Sequence, residues 1–347
     1  MSDAVITFPI LGNGFSLSFK SYFKVFGFTF HWYGIIIAAG FLLAVFYAMK
    51  RCKQFGLTED NIIDLLIFTV PLAIIGARTY YVIFSWSDYK DNPIDVFKIW
   101  EGGLAIYGGV IGAVIGLIIF SKVKHVKIGP AADIGALGLL IGQSIGRWGN
   151  FVNREAYGAK TDVPWRMGLT NEWGTFYYHP CFLYESLWNA LGLLSLHFYS
   201  KKRKFDGEVF FLYIAWYGLG RLFIEGLRTD SLYLFGSNLR VSQLVALLSI
   251  IGGLGAVAFI RINKHPEPED LLVNSLKKAA EKPVEEAEES GDEELYDEDF
   301  ASALELLRKR STVAADDASD SDDAIEEPVD ASPSSDEDDL SDRKANE

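Results

Sequence analysis

Seven long apolar stretches constrain this chain more than any other feature of its sequence. Each has roughly the 17–25 residues that a helix needs to cross a hydrocarbon core about 30 Å thick, and a bilayer leaves backbone groups no water to bind. Buried helices of a large soluble protein are the alternative, but such helices are rarely this apolar all round. We therefore predict an all-α, polytopic membrane protein with about seven transmembrane helices, at roughly 33–49, 62–84, 103–120, 132–148, 181–199, 208–224 and 241–260.

Charge divides the chain into two unlike parts after residue 264. Residues 265–347 carry 29 acidic and 8 basic side chains, whereas residues 1–264 carry 17 acidic and 24 basic ones, so the net charge of −14 describes neither part. The acidic part has too few apolar residues to offset the entropy of ordering. We predict a seven-helix membrane domain over 1–264 and a disordered acidic tail over 265–347, whose partner the sequence does not identify.

Two function classes are excluded by composition. The basic residues form short clusters between apolar runs rather than one stripe, so no nucleic-acid binding is expected. The two cysteines, Cys52 and Cys181, lie far apart in the chain, which offers neither a disulfide framework nor a cysteine-rich metal site. We predict no metal site and no cofactor.

The lysines and arginines between the apolar stretches predict the orientation. The links after the first, third and fifth stretches are short and basic, so the positive-inside rule places them, and everything after Arg261, in the cytoplasm. Seven crossings then leave the N-terminus outside. The basic residues of these links are Lys50, Arg51 and Lys53; Lys122, Lys124 and Lys127; and Lys201, Lys202, Arg203 and Lys204.

Three arginines lie inside the predicted spans, where an ionisable residue is costly and therefore a candidate for function. Arg78, Arg147 and Arg221 each lie on an outward-running stretch, 13 or 14 residues after an acidic residue at its cytoplasmic end. At 1.5 Å per residue all three reach about 20 Å from that end. The inward-running stretches begin with matching polar groups, which are His31, Tyr33, Tyr107, His179, Tyr184 and Glu185.

This arrangement predicts a polar chamber that opens outward and is suited to an anion, because guanidinium groups bind phosphate oxygens bidentately and stay charged when desolvated. Other roles for two of these arginines stay open. Arg221 and Glu225 are spaced i,i+4, so a structural ion pair is as well supported as a ligand contact. The position of Arg78 also fits a side chain that extends along the helix to the outer lipid headgroups.

The segment 146–158, GRWGNFVNREAYG, ends the fourth stretch with an unusual concentration of polar groups. Its glycines allow close approach of the backbone to a ligand, and its asparagine amides both donate and accept hydrogen bonds. The end of a helix needs only one glycine and a polar cap. This segment therefore predicts a functional site around Arg147.

Segment 146–158 resembles the signature of the prolipoprotein diacylglyceryl transferase family, and the resemblance extends over nearly all of residues 28–262. The supporting segments are HWYG at 31–34, GAR at 76–78, GGLAIYGG at 102–109, HP at 179–180, LYE at 183–185, and Arg221 to Arg228 with Asp230 and Ser231.

The resemblance implies a reaction and its partners. Family members transfer the diacylglyceryl group of phosphatidylglycerol to the thiol of a lipobox cysteine in a prolipoprotein signal peptide. A thioether forms and glycerol phosphate leaves, in the bacterial cell membrane and at its outer face. Fixed positive charge would stabilise the departing phosphate, and the thiol, with an ordinary pKa near 8.5, must become a thiolate to attack.

The family pattern also implies roles for particular residues. Arg147 resembles the phosphate-binding arginine, and Arg221 the second essential arginine. Glu225 would hold Arg221, and Asn150 and Glu155 would orient Arg147 or the headgroup. The other residues expected at the substrate are Tyr33, Arg78, Asn153, Gly158, His179 and Glu185.

Two positions depart from the family pattern. Some members carry histidine, a candidate base, where this chain has Tyr107, and a tyrosine with a pKa near 10 is a poor base. Tyr107 is therefore expected to hydrogen-bond the phosphate. An arginine-stabilised thiolate that needs no dedicated base stays open, and His31 and Glu155 are the remaining candidate bases. Cys181 and Phe182 stand where the family often has Thr-Gln.

The rival hypothesis is an outward-facing lipid or anion transporter. Many transporters are built from internal repeats, and no internal repeat is evident in this sequence.

Overall fold

The computed structural model of this protein describes residues 5–12, 15–229 and 240–281. A helix forms at each of the seven apolar stretches, because a continuous apolar run with few prolines favours a helix whose backbone groups bond internally. The seven helices are α1 (Trp32–Arg51), α2 (Glu59–Phe84), α3 (Ile106–Val123), α4 (Ile128–Asn153), α5 (Cys181–Tyr199), α6 (Glu208–Ile224) and α7 (Val241–Lys264).

Six of the seven helices, within the described residues, are long and apolar enough to cross a membrane. The remaining helix is α5, which carries Glu185, Ser186, Asn189 and His197 among its apolar residues. Large apolar side chains point outward from the bundle, as Leu42 and Ile67 do. An apolar exterior is stable when lipid is the solvent, so the fold is that of a polytopic membrane protein.

The helices pack mainly as antiparallel neighbours, α2 along α3, α1 along α4 and α6 along α7. Glycines make the α2–α3 contact close. A Cβ atom on Gly108 would lie 2.3 Å from the carbonyl oxygen of Gly76, and one on Gly112 would lie 2.1 Å from that of Leu72. The spacing of four residues that the glycines show in the sequence thus serves direct contact between helix backbones.

Two small sheets at one end of the bundle were not predicted from the sequence. One has the strand order β2-β1-β5-β6, in which the N-terminal β1 pairs with β5 from the α4–α5 connection, and the other is the hairpin β3-β4 before α1. Their strands are β1 (Val5–Thr7), β2 (Ser16–Leu17), β3 (Tyr22–Val25), β4 (Phe28–His31), β5 (Met167–Asn171) and β6 (Gly174–Tyr178).

The two ends of the bundle therefore differ, and we name them the sheet end and the basic end. The sheet end holds both sheets, the start of α1 and α5, and the end of α4 and α6. The basic end holds the three basic links that follow α1, α3 and α5.

An eighth helix, α8 (Leu272–Glu281), lies at the basic end within the predicted tail. Leu272 and Leu276 are buried in the main core beside Phe55, and the Leu272 backbone donates to Asp206 Oδ2 over 2.8 Å. A helix thus forms inside the predicted tail, where leucines at 271, 272 and 276 supply buried apolar side chains. The rest of the predicted tail, 282–347, lies outside the described residues.

Candidate active site

Glu185 is the centre of a cluster of arginines at the sheet end. Its carboxylate forms an ion pair with Arg147 of α4, and its Oε1 lies 3.4 Å from Nη1 of Arg221 and 3.4 Å from Nη1 of Arg228. The Glu185 side chain is only 4% exposed. Three cations from different elements thus converge on one buried carboxylate, and we call these four residues with Glu225 the arginine cluster.

Glu225 supplies the second carboxylate of the arginine cluster. Its Oε2 lies 2.6 Å from Nη2 of Arg221, and its backbone carbonyl accepts a hydrogen bond from Arg240. The arginine cluster, as these five residues define it, contains three guanidinium groups and two carboxylates. The side chains of Arg147 and Arg221 remain 22% and 20% exposed, so both can reach a ligand while the carboxylates stay buried.

A chain of hydrogen bonds leads from Arg147 to Glu155. Arg147 Nη1 donates to Oδ1 of Asn150 over 3.4 Å, and Nδ2 of Asn150 donates to Oε1 of Glu155 over 2.9 Å. Asn153 Nδ2 donates to the same Glu155 oxygen over 3.4 Å. The chain forms because α4 continues to Asn153, so that positions 147 and 150 share one helix face.

Tyr33 lies against the same segment of α4. A Cβ atom on Gly149 would lie 2.7 Å from Cδ2 of the Tyr33 ring, so only glycine at 149 lets this ring rest on the helix. The tyrosine expected to line the site is therefore placed beside the residues that follow Arg147. Gly149 contributes this close packing, which is one reason for the glycines in the 146–158 segment.

Gly158 has a packing role that the sequence did not indicate. Its N–H donates to the carbonyl of His179 over 2.9 Å, and the residue pairs with Arg228 in a β-bridge. A Cβ atom there would lie 2.8 Å from Sγ of Cys181 and 2.9 Å from the carbonyl oxygen of Leu227. Gly158 thus holds the segment bearing Arg228 against the start of α5, where Glu185 lies.

His179 lies just before α5 and contacts Tyr184. Its Nδ1 is 3.2 Å from the Tyr184 hydroxyl, which also accepts a hydrogen bond from Trp165 Nε1 over 2.7 Å. Burial lowers the pKa of His179, so its imidazole is mainly neutral at neutral pH. His179 thus supports the first turn of α5, the helix that carries Glu185.

Arg78, which was predicted to share the chamber, makes its described hydrogen bonds within the α2–α3 connection and none of them to the arginine cluster. All its N–H groups donate to backbone carbonyls of the α2–α3 connection: Nε to Val96 over 2.7 Å, and the two Nη atoms to residues 95, 98, 102 and 103. The residue is 7% exposed, and its guanidinium lies over the Tyr89 ring. With all five donors used by these carbonyls, Arg78 organises the loop between α2 and α3.

His31 and Tyr107 have aromatic neighbours. His31 ends β4, where its ring centroid is 6.0 Å from that of Tyr22, and Tyr107 begins α3 with its centroid 6.4 Å from that of Tyr80. Both residues are exposed at the sheet end. The structure thus places both at the same end of the bundle as the arginine cluster, without a described contact to Glu185 or Arg147.

Sequence reasoning missed two members of this region. Arg228 joins Glu185 although only its i,i+3 spacing from Glu225 hinted at a shared cluster. Asn189, one turn after Glu185 and 2% exposed, lines a small cavity with Arg221. Asp230 and Ser231, which belong to the resemblance, lie outside the described residues. Among the residues that the structure describes, no group of three or more His, Cys, Asp or Glu could hold a metal ion.

The fold and the cluster define a polytopic helical membrane protein with converging arginines at one end of its bundle. The chain belongs to the prolipoprotein diacylglyceryl transferase family, whose profile matches residues 20–259. It is 45% identical over 246 residues to a phosphatidylglycerol–prolipoprotein diacylglyceryl transferase of Lysinibacillus sphaericus, covering 68% of this chain and 89% of that one. The protein of the same name from Enterococcus faecalis is 46% identical over 254 residues, covering 70% and 91%.

Proposed function

We propose that this protein transfers the diacylglyceryl group of phosphatidylglycerol to the thiol of the lipobox cysteine in prolipoprotein signal peptides. A thioether forms and glycerol phosphate is released. The observation that carries the proposal is the convergence of Arg147, Arg221 and Arg228 on Glu185, in a family whose members bear the name of this reaction.

Arg147 and Arg221 bind the lipid phosphate in this proposal. Both are partly exposed, and a guanidinium group binds an anionic phosphate in preference to a neutral headgroup. Guanidinium groups that are already held by Glu185 and Glu225 need little reorganisation when the phosphate arrives. Tyr33 lines the site, and the amides of Asn150 and Asn153 orient the headgroup or Glu155.

The transfer step exchanges one bond to carbon for another. The cysteine thiolate attacks the carbon of the diacylglyceryl unit that bears the phosphate ester, and a carbon–sulfur bond forms. The bond from that carbon to the ester oxygen breaks, and its electron pair leaves with the glycerol phosphate. The arginines stabilise that developing charge. Glu155 is our candidate for accepting the thiol proton, because its hydrogen bonds connect it through Asn150 to Arg147, whereas His31 packs on Tyr22.

The sheet end faces outward in this proposal, and the basic end lies in the cytoplasm of a bacterial cell. The positive-inside rule supports this orientation, because the three basic links share one end. Residues 1–264 then form the transferase domain, and the acidic residues beyond α8 form a cytoplasmic appendage. Both substrates would meet the arginine cluster at the level of the outer headgroups.

The test is an assay with purified protein, phosphatidylglycerol and a lipobox peptide, read by mass spectrometry of the thioether product. We expect Arg147→Ala and Arg221→Ala each to lower kcat/KM by at least about 100-fold, which is the scale of losing one preorganised charge at a transition state. Lys160→Ala is the matched control, since this exposed cation near the sheet end packs on Phe176 and should retain activity.

Absence of product from the wild-type protein, or full activity of Arg147→Ala, would overturn the proposal. A transporter is not supported, because relatives carry the name of a transferase and the charged cluster lies near one end of the bundle. Transporters generally bind substrate near the midplane, often at broken helices. Accumulation of intact lipid across a vesicle membrane without thioether formation would favour the transporter instead.

A further inference from the structure

A cavity of about 440 Å³ lies at the basic end, at the opposite end of the bundle from the arginine cluster. Three segments form its wall: the short helix after α1, the turn after α5, and the beginning of α8. The lining includes four cationic side chains, Lys53, Lys201, Arg203 and Lys277, and no carboxylate among the described residues. Such a lining selects an anion that carries several charges.

The wall of this basic cavity is held by buried contacts. Arg203 donates from Nη2 to the Gln54 carbonyl over 2.9 Å and from Nη1 to the Ser200 carbonyl over 3.1 Å, which joins two of the three segments. Its guanidinium lies 4.4 Å from the centroid of the Phe55 ring. The bond from the Leu272 backbone to Asp206 attaches the third segment. The cavity is therefore preformed.

The acidic groups near the cavity do not neutralise all of its cations. Arg203 lies 4.0 Å from Asp133 and 3.7 Å from Asp206, and these two carboxylates already accept backbone hydrogen bonds. Lys53 pairs with Glu59 over 3.5 Å at an exposed position, where such a pair contributes little. Lys201 and Lys277 are exposed at the cavity. Positive charge thus remains available to a ligand.

The acidic segment that best complements the positive charge of the cavity belongs to this same chain. Residues 285–299 include ten acidic residues and no basic one, and they begin only eight residues after Lys277. Eight residues can span up to about 28 Å when extended, so this segment can reach the cavity. A short connection also gives it an effective concentration on the order of millimolar, which favours it over an anion in solution.

We propose that the basic cavity is a docking site for the acidic segment 285–299 of the same chain. The carboxylates of this segment pair with Lys53, Lys201 and Lys277, and α8 holds the connection at the edge of the cavity. The helix lies outside the region matched by the family profile, which ends at residue 259. The docking site is thus built partly from this chain's own C-terminal extension.

The test uses the full-length protein in phosphatidylcholine nanodiscs and a carbodiimide, which joins a carboxylate to an amine in direct contact. Cross-linked peptides are identified by mass spectrometry. We expect Lys53 and Lys201 to couple to 285–299 at least about tenfold more than exposed Lys122 and Lys127 of the same end do. Links to Lys277 are not counted, because it lies close to the segment in sequence.

A second measurement compares the acetylation rate of Lys201 in two variants. In one, the ten acidic residues of 285–299 are replaced by their amides, and in the other, the eight acidic residues of 316–330 are replaced in the same way. We expect acetylation to become severalfold faster only in the first variant, because only that segment shields the lysine. Raising NaCl from about 0.1 M to about 1 M should remove the shielding.

Equal coupling of all four lysines, or equal effects of the two amide variants, would overturn the proposal in favour of a solvated tail. Nanodiscs that contain phosphatidylglycerol test a lipid headgroup as the occupant. We expect the cross-links to persist there. Their loss would show that anionic lipid fills the cavity, and the docking proposal would then be wrong.

Discussion

Three guanidinium groups repel one another, and Glu185 allows them to converge. Its carboxylate lies between Arg147, Arg221 and Arg228 and is buried, so the attraction acts in a medium of low dielectric constant. Arg78 shows the opposite arrangement, because uncharged backbone carbonyls take all five of its donors. Two arginines at similar predicted depth therefore have different kinds of partner, a buried carboxylate for Arg147 and backbone carbonyls for Arg78.

Matched substitutions of these two arginines by lysine should separate folding from catalysis. Lysine has three donors on a point charge and cannot replace the five-donor contacts of Arg78, so Arg78→Lys should destabilise the protein by about 1–3 kcal/mol. Arg147→Lys should leave the melting temperature near that of the wild type and lower the transfer rate. Thermal unfolding in detergent and the peptide assay are the two measurements. A stable Arg78→Lys protein would contradict the loop-organising role.

At the scale of helices, small residues and indoles fix how the functional side chains meet. The Trp188 and Trp216 rings stack with centroids 4.6 Å apart, and each indole N–H donates to the other residue's backbone carbonyl. Gly192 and Gly220 make room for these rings. This contact fixes how α5 packs against α6. Trp188 lies three residues after Glu185 along α5.

The α2–α3 contact offers a test at this scale. Gly112→Ala would place a methyl group against the Leu72 backbone, so the helices must separate, and overpacking of this kind costs about 1–3 kcal/mol. Gly135→Ala on α4 is the control, since a Cβ atom there meets nothing within 4 Å. Both changes raise helix propensity equally. We expect a lower melting temperature only for Gly112→Ala, and equal values for the two variants would disprove close packing as the reason for this glycine.

At the scale of the whole molecule, α8 connects the seven-helix bundle to the acidic residues that follow it in the chain. Leu271, Leu272 and Leu276 are buried, and burying one leucine contributes about 1.5–3 kcal/mol. A chain that stops after Glu281 should therefore keep both the stability and the transfer activity of the full protein. A chain that stops after Lys264 loses these contacts and should melt at a lower temperature, while its arginine cluster remains intact.

Activity and melting temperature of the two truncations, measured in the same detergent, check this expectation. Equal melting temperatures of the two truncations would mean that α8 does not stabilise the seven-helix bundle. Loss of transfer activity in the chain ending at Glu281, with normal stability, would show that the acidic residues take part in catalysis. The second outcome would contradict the proposal that the acidic residues and the substrates lie at opposite ends of the bundle.

The sequence by itself was sufficient to predict the seven helices, the basic end and the segment around Arg147. These features are local, because hydropathy, charge and glycine content are read directly along the chain. Tertiary structure decided which polar groups meet. The rotation of α4, α5 and α6 about their axes brought Arg147 and Arg221 to Glu185, the turn after α6 added Arg228, and the α2–α3 connection folded around Arg78. The two sheets and the docking of α8 likewise depend on contacts between residues distant in sequence, which no local pattern specifies.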